Sequence, residues 1–440
     1  MKKLIFFFVI TGIMVSCNDW PGHGNGGGSP VYHTKKFSAE VAVTWFNLQQ
    51  DLIKTTSGFD PLVASRAFAY SGLALYESVV KGMPGYNSVA APIMSADLVS
   101  FHRHKLLYWP ASANAAMASI LKNLYANTSE ANKNRIDSLE AAFNATFQQE
   151  TTSKTFHESV AFGKKVATEI FEWSKTDGGH EAYLSNTSPD YVPPTGPGMW
   201  IPTSPTATKP IRPYWGNNRS FIPNSATMTL PGPPLPYSEV PGSPFYNAVN
   251  NVYTVSQNLT EEQIAIAKTW GDIPGNYGTP AHYTNIATQL IQKNGLKLDR
   301  AVLTYVKHGI GLNEAMISVF KAKYTYTLIR PISYIYNVMG QTTWNTVIGT
   351  PPHPEYPSAH ATLGGASYTI LESIFGKNHS FVDHTHENIF GARSYPNIKA
   401  YAEEASWSRV LAGIHYEFSA QVGLNQGAEV GKLVNQIPFK

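Results

Sequence analysis

Three short segments in the last third of the chain hold residues whose types and spacing could do chemistry. They are Lys323-x6-Arg330-Pro331, Pro357-Ser358-Ala359-His360 and Ser408-Arg409-x5-His415. Between them they offer three cations, a hydroxyl, a run of small residues exposing backbone N–H, and two imidazoles. Each is a group suited to holding a tetrahedral oxyanion. Like charges roughly 4 Å apart repel by about 4 kcal/mol at an effective dielectric of about 20, so such cations converge stably only around something anionic. If the three segments meet in space, their site takes a phosphate-like dianion.

The elements that must position these groups read as helices. Lys323 and Arg330 lie seven apart, close to two helical turns, and Pro331 stops the helix, so the spacing predicts two cations on one face near a helix end. A solvated basic face gives the same pattern in an isolated pair, and only the other two segments reverse that reading. Lys321, two residues earlier, faces elsewhere, while Phe320 is placed to wall the pocket. Ser358-Ala359-His360 follows Pro354 and Pro357 and precedes a helical pattern from about Thr362 to Ile374. A hydroxyl and free N–H groups at a helix N-terminus form an anion cradle, although a plain N-cap serine has the same signature. Arg409 and His415 are roughly 120° apart on an ideal helix and cannot share a face unless the helix is interrupted, which Gly413 can supply.

Beyond the site segments, periodicity is helical from about Ser38 to Trp173 and again from Thr260 to the C-terminus, broken by Pro351-Pro352-His353-Pro354. Asp60-Pro61 is a helix start. Of the 30 prolines, 15 fall between Pro189 and Pro244, a density no regular helix survives, yet Trp200, Trp215 and Phe221 imply an ordered wrap. The reading is an all-α protein of packed helical bundles, with residues 38–440 as a single domain. Within it, 186–250 is the Pro-rich wrap and 260–440 carries the oxyanion site. The charge balance, 33 Lys+Arg against 30 Asp+Glu, excludes a nucleic-acid footprint. Lys2, Lys3, the apolar run from Leu4 to Val15 and Met14-Val15-Ser16-Cys17 read as a lipoprotein-type signal over 1–17. Cys17, the single cysteine, is then a lipid anchor to the outer face of a bacterial membrane, with 18–37 as a flexible tether.

The order and spacing of the three segments resemble the signature shared by the vanadium-dependent haloperoxidases and the type 2 phosphatidic acid phosphatase superfamily: Lys-x6-Arg-Pro, Pro-Ser-Gly-His and Ser-Arg-x5-His-x3-Asp. The likeness spans at least Trp270 to Val434, through Trp270-Gly271-Asp272 and Gly278-Thr279-Pro280. Ala359 stands in place of the family's glycine and Ser419 in place of its aspartate. The resemblance implies that Lys323, Arg330, Ser358, the N–H of Ala359 and Arg409 hold the equatorial oxygens of vanadate, a site phosphate can also occupy. It implies that His415 bonds vanadium, that His360 is the acid-base partner of the apical oxygen, and that Lys323 polarises bound peroxide.

On this resemblance the chain oxidises bromide or iodide with hydrogen peroxide. His353 supports that side, because bromide-oxidising members carry histidine there. Ser419 supports it too, because a serine cannot stabilise by charge an imidazole that must act as nucleophile. The alternative is an exported acid phosphatase acting on a phosphate ester, with His415 as nucleophile and His360 as acid. A third is a lipid-anchored binding protein with a decayed site. Two further features are weighed apart from the motif. Asp272 is a candidate to hold Arg409, and Asp383-His384-Thr385-His386-Glu387 reads as a polar loop, since no distant partner completes a zinc set.

Overall fold

Pro61 opens a helix as its sequence demands: Pro61–Glu77, with Asp60 Oδ1 accepting from the N–H groups of Leu62 (3.0 Å) and Val63 (3.2 Å). A proline at the first helical position forfeits no hydrogen bond. The computed structural model describes residues 33–95, 106–203, 208–272 and 277–440. Among them are 16 α-helices and one two-stranded antiparallel ribbon, Phe381–Asp383 with Arg393–Tyr395, so the all-α reading holds. The signal segment 1–17 and Cys17 lie outside the described residues. None of the described helices is long and apolar enough to cross a membrane.

The organising element is Leu298–Tyr326, a helix of 29 residues. It packs against Pro61–Glu77 and against Ala359–Phe375. The core around the first of these includes Trp45, Phe46, Phe68 and Ile120, from Glu40–Thr55, Pro61–Glu77 and Trp109–Leu124. The other joins Ala359–Phe375 to Ile398–Leu411 and Glu417–Asn435. Gly365 and Gly427 set the last contact. A Cβ at Gly427 would collide with the Thr362 carbonyl and one at Gly365 with the Leu424 carbonyl, so these two backbones approach as closely as glycine permits. His308, in the central helix, meets Ser367 Oγ at 2.8 Å, and Tyr401 donates to the same hydroxyl at 2.7 Å, tying three helices together inside the core.

The Pro-rich segment is ordered where it is described. Trp200, Trp215 and Phe221 are buried, and Glu314 of the central helix accepts from the Phe221 N–H (2.8 Å) and from Ser225 Oγ. Arg212 clamps Asp60 through Nε (2.8 Å) and Nη2 (2.6 Å). Short helical turns at Trp215–Asn217 and Ser225–Met228 do form there, and Pro244 itself opens a regular helix, Pro244–Gln257, ahead of the expected boundary at 250. At the other end, packing begins before residue 38. Thr34 is buried and its hydroxyl donates to the Gly82 carbonyl at 2.9 Å, so the last part of the expected tether belongs to the folded body.

One short extended segment, joined to the wrap by an isolated bridge between Met199 and Leu328, prepares the site. Leu328–Arg330 follows the central helix and lies between Gly198–Trp200 and the 353–357 loop. Trp200 N–H donates to the Thr327 carbonyl (2.7 Å), Ile329 N–H to Gly198 (2.8 Å) and Glu355 N–H to Leu328 (2.9 Å). The wrap therefore fixes the segment that presents Arg330.

Candidate active site

Lys323 sits in the last turn of the central helix, which ends at Tyr326 with Thr327 in the left-handed region (φ 46°). Arg330 is extended and N-caps a new helix, Pro331–Asn337. The two cations do converge, but by a chain reversal and not by sharing a helix face as the seven-residue spacing predicts. Thr327 does the work assigned to Pro331. Lys323 Nζ gives all three of its protons to carbonyls of one loop, those of Pro354 (3.0 Å), Glu355 (2.8 Å) and Pro357 (2.6 Å). Lys321 points away, to Asn217 Oδ1 at 3.1 Å, as expected.

Arg330 is fully buried and touches both imidazoles flanking it. Nη2 donates to His353 Nδ1 (3.0 Å), Nε to the His353 carbonyl (3.0 Å), and Nη1 to the Ile414 carbonyl (2.9 Å) with His415 Nε2 at 3.3 Å. A guanidinium only donates, so both ring nitrogens it meets carry lone pairs toward it, and the Pro354 carbonyl lies 3.1 Å from the same His353 Nδ1. The His353 ring also lies 5.2 Å from that of Phe320, which walls it as the spacing predicts.

His415 follows the interruption predicted at Gly413. The helix Ile398–Leu411 ends two residues earlier, Gly413 has φ +78°, and the next helix starts at Glu417. On its other side His415 Nδ1 donates to Glu355 Oε1 at 2.7 Å, and Tyr416 N–H donates to the same oxygen at 3.0 Å. Glu355 is fully buried. The carboxylate fixes the tautomer: the proton is on Nδ1 and the lone pair is on Nε2, where Arg330 Nη1 meets it at 3.3 Å. The sequence reading missed Glu355. The family's aspartate is absent at Ser419, but its carboxylate function returns from the 353–357 loop. Ser419 Oγ faces Glu355 without closing a hydrogen bond.

Ser358 is the N-cap of Ala359–Phe375, its hydroxyl accepting from Ala361 N–H at 3.5 Å and its own N–H donating to the Ser419 carbonyl at 3.3 Å. Ala359 is the first helical residue and is not in the positive-φ region, so alanine fits where the family has glycine. The N–H groups of this first turn have no intrahelical acceptor. Arg409 is buried, donates from Nη1 to the Trp270 carbonyl at 2.7 Å, and leaves Nε without a partner. Asp272 does not pair with it. The Asp272 carboxylate instead takes His360 Nε2 at 3.2 Å, where Thr279 Oγ1 also approaches to 2.8 Å.

Asp272 opens onto a second cluster. Its other oxygen lies 3.3 Å from His282 Nδ1 and 3.6 Å from His386 Nε2, and His282 Nε2 meets Asp383 Oδ2 at 2.9 Å. The tract 383–387 is thus split. His384 and Glu387 are exposed and pair with each other at 3.0 Å, whereas Asp383 and His386 are buried and join residues a hundred positions upstream. The polar-loop reading holds only for the first pair.

Electrostatics separates the two clusters. Burial, then Arg330, pulls Lys323 well below an ordinary lysine, with Glu355 opposing. Burial lowers Arg330 and Arg409 to about 10 each. Burial lifts Glu355 to about 7 against the pull of Arg330 and Lys323. Burial, Arg330 and Lys323 hold His415 well below 6.5, and His353 is depressed by burial, Lys323 and Arg330. Burial and Arg409 bring His360 to about 4 despite Asp272. Three buried cations facing one reluctant carboxylate lack negative charge, and the orphaned Arg409 Nε marks where it is missing. The donor set fits a tetrahedral oxyanion, with the His415 Nε2 lone pair beside Arg330.

Fold and site together define a helical oxyanion-binding protein. The family model described as the VCPO second helical-bundle domain matches residues 304–438, which contain all three site segments. A solved structure described as the first bacterial vanadium-dependent iodoperoxidase superposes with a TM-score of 0.82 at 30% identity, over 91% of this chain and 96% of that one. An apo-type bacterial vanadium-dependent chloroperoxidase gives a TM-score of 0.65 at 15% identity over 87% and 96%, a likeness of fold. A vanadium-dependent bromoperoxidase of Ascophyllum nodosum is 30% identical over 95 residues, which are 19% of this chain and only 17% of that protein's length. The chain belongs to the vanadium-dependent haloperoxidase family.

Proposed function

We propose that this protein is a vanadate-dependent haloperoxidase that oxidises bromide or iodide with hydrogen peroxide. The observation that carries the reading is the pairing of Glu355 with His415, which leaves the His415 Nε2 lone pair beside Arg330 in a pocket of excess positive charge. Vanadate would be held by Arg330, Ser358, the Ala359 N–H and Arg409, with His415 as its protein ligand; Lys323, expected among the holding groups, spends its three protons on the Pro354, Glu355 and Pro357 carbonyls and contributes charge alone. When bound it supplies a Lewis acid that activates peroxide without changing oxidation state.

The chain's own residues do the rest. Glu355 keeps the His415 proton on Nδ1. Asp272 accepts from His360 Nε2, which turns the Nδ1 lone pair of His360 outward as a proton acceptor. His353, accepting from Arg330 at Nδ1, keeps a neutral N–H on Nε2 for peroxide or halide. Lys323 holds the carbonyls of the 354–357 loop and shares its charge with the site.

One observation favours a second reading. With Glu355 behind it, His415 has the acid partner that a phosphohistidine route needs, so the absence of aspartate at 419 does not argue against a phosphatase. A side-by-side assay separates them: halide oxidation by peroxide after vanadate loading, against phosphate-ester hydrolysis without it. Halide turnover that requires vanadate supports the first reading; ester hydrolysis alone overturns it. Export and a lipid anchor at Cys17 belong to the same proposal, on the pattern of residues 1–17. Cys17→Ala should move the protein from the membrane fraction to the soluble one.

A further inference from the structure

Apart from the one oxygen of Asp272 that holds His360, the second cluster is not used by the oxyanion chemistry, and its geometry asks for an occupant. Asp272 Oδ1, His282 Nδ1 and His386 Nε2 all lie within 4.8 Å of one another, from three separate elements. Donors about 2.0–2.1 Å from a tetrahedral zinc ion stand about 3.3 Å apart. The two separations from Asp272 Oδ1, 3.3 Å to His282 and 3.6 Å to His386, match that spacing.

Two further observations point to a cation. His386 is buried, yet its Nε2 has no hydrogen-bond partner and faces the Asp272 carboxylate from beyond hydrogen-bond reach. A buried ring nitrogen left idle beside a carboxylate is costly unless something joins them. His282 meanwhile gives its Nε2 to Asp383 Oδ2 at 2.9 Å while Nδ1 faces the cluster, the carboxylate–histidine arrangement that orients a metal-ligating imidazole. The ring is also fixed by stacking on Trp270 at 4.3 Å.

We propose that Asp272, His282 and His386 form a second cation site, separate from the oxyanion cradle, for a first-row divalent ion of the zinc type. Two imidazoles and one carboxylate select against calcium and magnesium, which prefer all-oxygen ligands. The ion takes the place of the proton that His282 Nδ1 shares with Asp272, and that proton leaves to solvent. Two carboxylates and one divalent ion then balance to zero. Asp272 also borders a cleft of about 620 Å³ whose lining includes Lys54, Tyr183 and Arg212. Because the other oxygen of Asp272 holds His360, the ion would be joined to the oxyanion site by a single carboxylate.

The site is tested without vanadate and without activity. The chelator-treated full chain is titrated with Zn2+ by calorimetry and with Co2+ by visible absorption. One equivalent of Zn2+ per chain is expected, with a Co2+ band of four-coordinate intensity. His386→Gln should weaken both at least tenfold, and His384→Ala, in the exposed half of the same loop, should leave both unchanged. No uptake by the folded wild-type protein overturns the proposal. So does binding that survives His386→Gln, or binding lost in His384→Ala. Should His386→Gln fail to fold, Asp383→Asn takes its place with the same expected loss, and the wild-type titration still decides.

Discussion

Two buried polar clusters meet at the contact between Asp272 and His360, and they are built on opposite electrostatic plans. In the cradle, Lys323, Arg330 and Arg409 are buried around one carboxylate, Glu355, which burial lifts to about 7. In the neighbouring cluster the acids win. Burial pushes His282 down, but Asp383 and Asp272 override it and raise the imidazole to about 9, while Asp383 falls to about 2. The first is short of negative charge and the second is short of positive charge, since its two carboxylates, Asp272 and Asp383, share one imidazole between them. A site with unspent cations is organised for an anion, and one with unspent carboxylates for a cation. Asp272 belongs to both: it holds His360 through Nε2, while burial and Arg409 keep that imidazole from adding to the cradle's positive charge.

The largest effect expected from breaking this contrast is in Glu355→Gln. The amide retains the shape but cannot hold the His415 tautomer by charge, and it removes the acid that faces Lys323 and Arg330. Loss of an orienting partner behind a metal ligand costs about 10–100-fold in affinity or activity. Vanadate affinity, read by activity against vanadate concentration, should fall by that amount. Ser419→Asp in the Glu355→Gln background should recover part of it, because position 419 already faces residue 355. In the wild-type background the same Ser419→Asp change buries a second carboxylate beside the first and should lower the melting temperature. Failure of the double variant to recover any affinity would show that His415 does not depend on a carboxylate.

Next in size are Arg409→Ala and Arg330→Ala. Each deletes a charge-assisted contact worth roughly 1.5–3 kcal/mol, so phosphate and vanadate should both bind about 10–150-fold more weakly. The same logic predicts that phosphate stabilises the wild-type fold: a ligand at about 100 times its Kd adds about 2.7 kcal/mol. A melting temperature indifferent to phosphate would contradict the charge deficit inferred for the cradle. Neither arginine variant should alter cation uptake at Asp272, His282 and His386, and Asp383→Asn should do the reverse. Loss of both activities in either variant would merge what is here described as two sites.

The residues of the cradle were legible in the sequence because their local motifs are dense and ordered. Gly413 was legible too, since six residues cannot bring Arg409 and His415 together without a break. What could not be read was how distant segments meet. The seven-residue interval from Lys323 to Arg330 implied one helix face, but tertiary packing placed a left-handed residue at Thr327, and backbone hydrogen bonds from the Gly198–Trp200 segment fixed the turn. Glu355 was overlooked because it lies outside the matched positions of the motif. One signal was available: a charged residue in the uncharged run from Pro351 to Pro357, beside a site missing its usual acid. Likewise His386 reads as one of several loop histidines until His282 arrives from another helix. Pairings between residues a hundred positions apart leave no periodic trace.

The smallest effect sharpens the division of labour inside the cradle. His353 contacts Arg330 through Nδ1 and Phe320 through its ring, and the proposed function assigns its Nε2 to peroxide or halide. In His353→Phe the new ring keeps the packing against Phe320, while Arg330 loses one neutral acceptor but keeps the His353 carbonyl and Ile414 as partners. A single neutral hydrogen bond is worth about 0.5–1.5 kcal/mol, so vanadate affinity should change by at most about tenfold and, with the carbonyl contacts intact, by much less. Bromide turnover at saturating vanadate should fall about tenfold, because a proton donor beside the reacting oxygen is gone. Steady-state kinetics over a range of vanadate and bromide concentrations separates the two. Unchanged turnover with bromide and with iodide would make His353 a structural partner of Arg330, and a loss confined to vanadate affinity would place it among the residues that hold the anion.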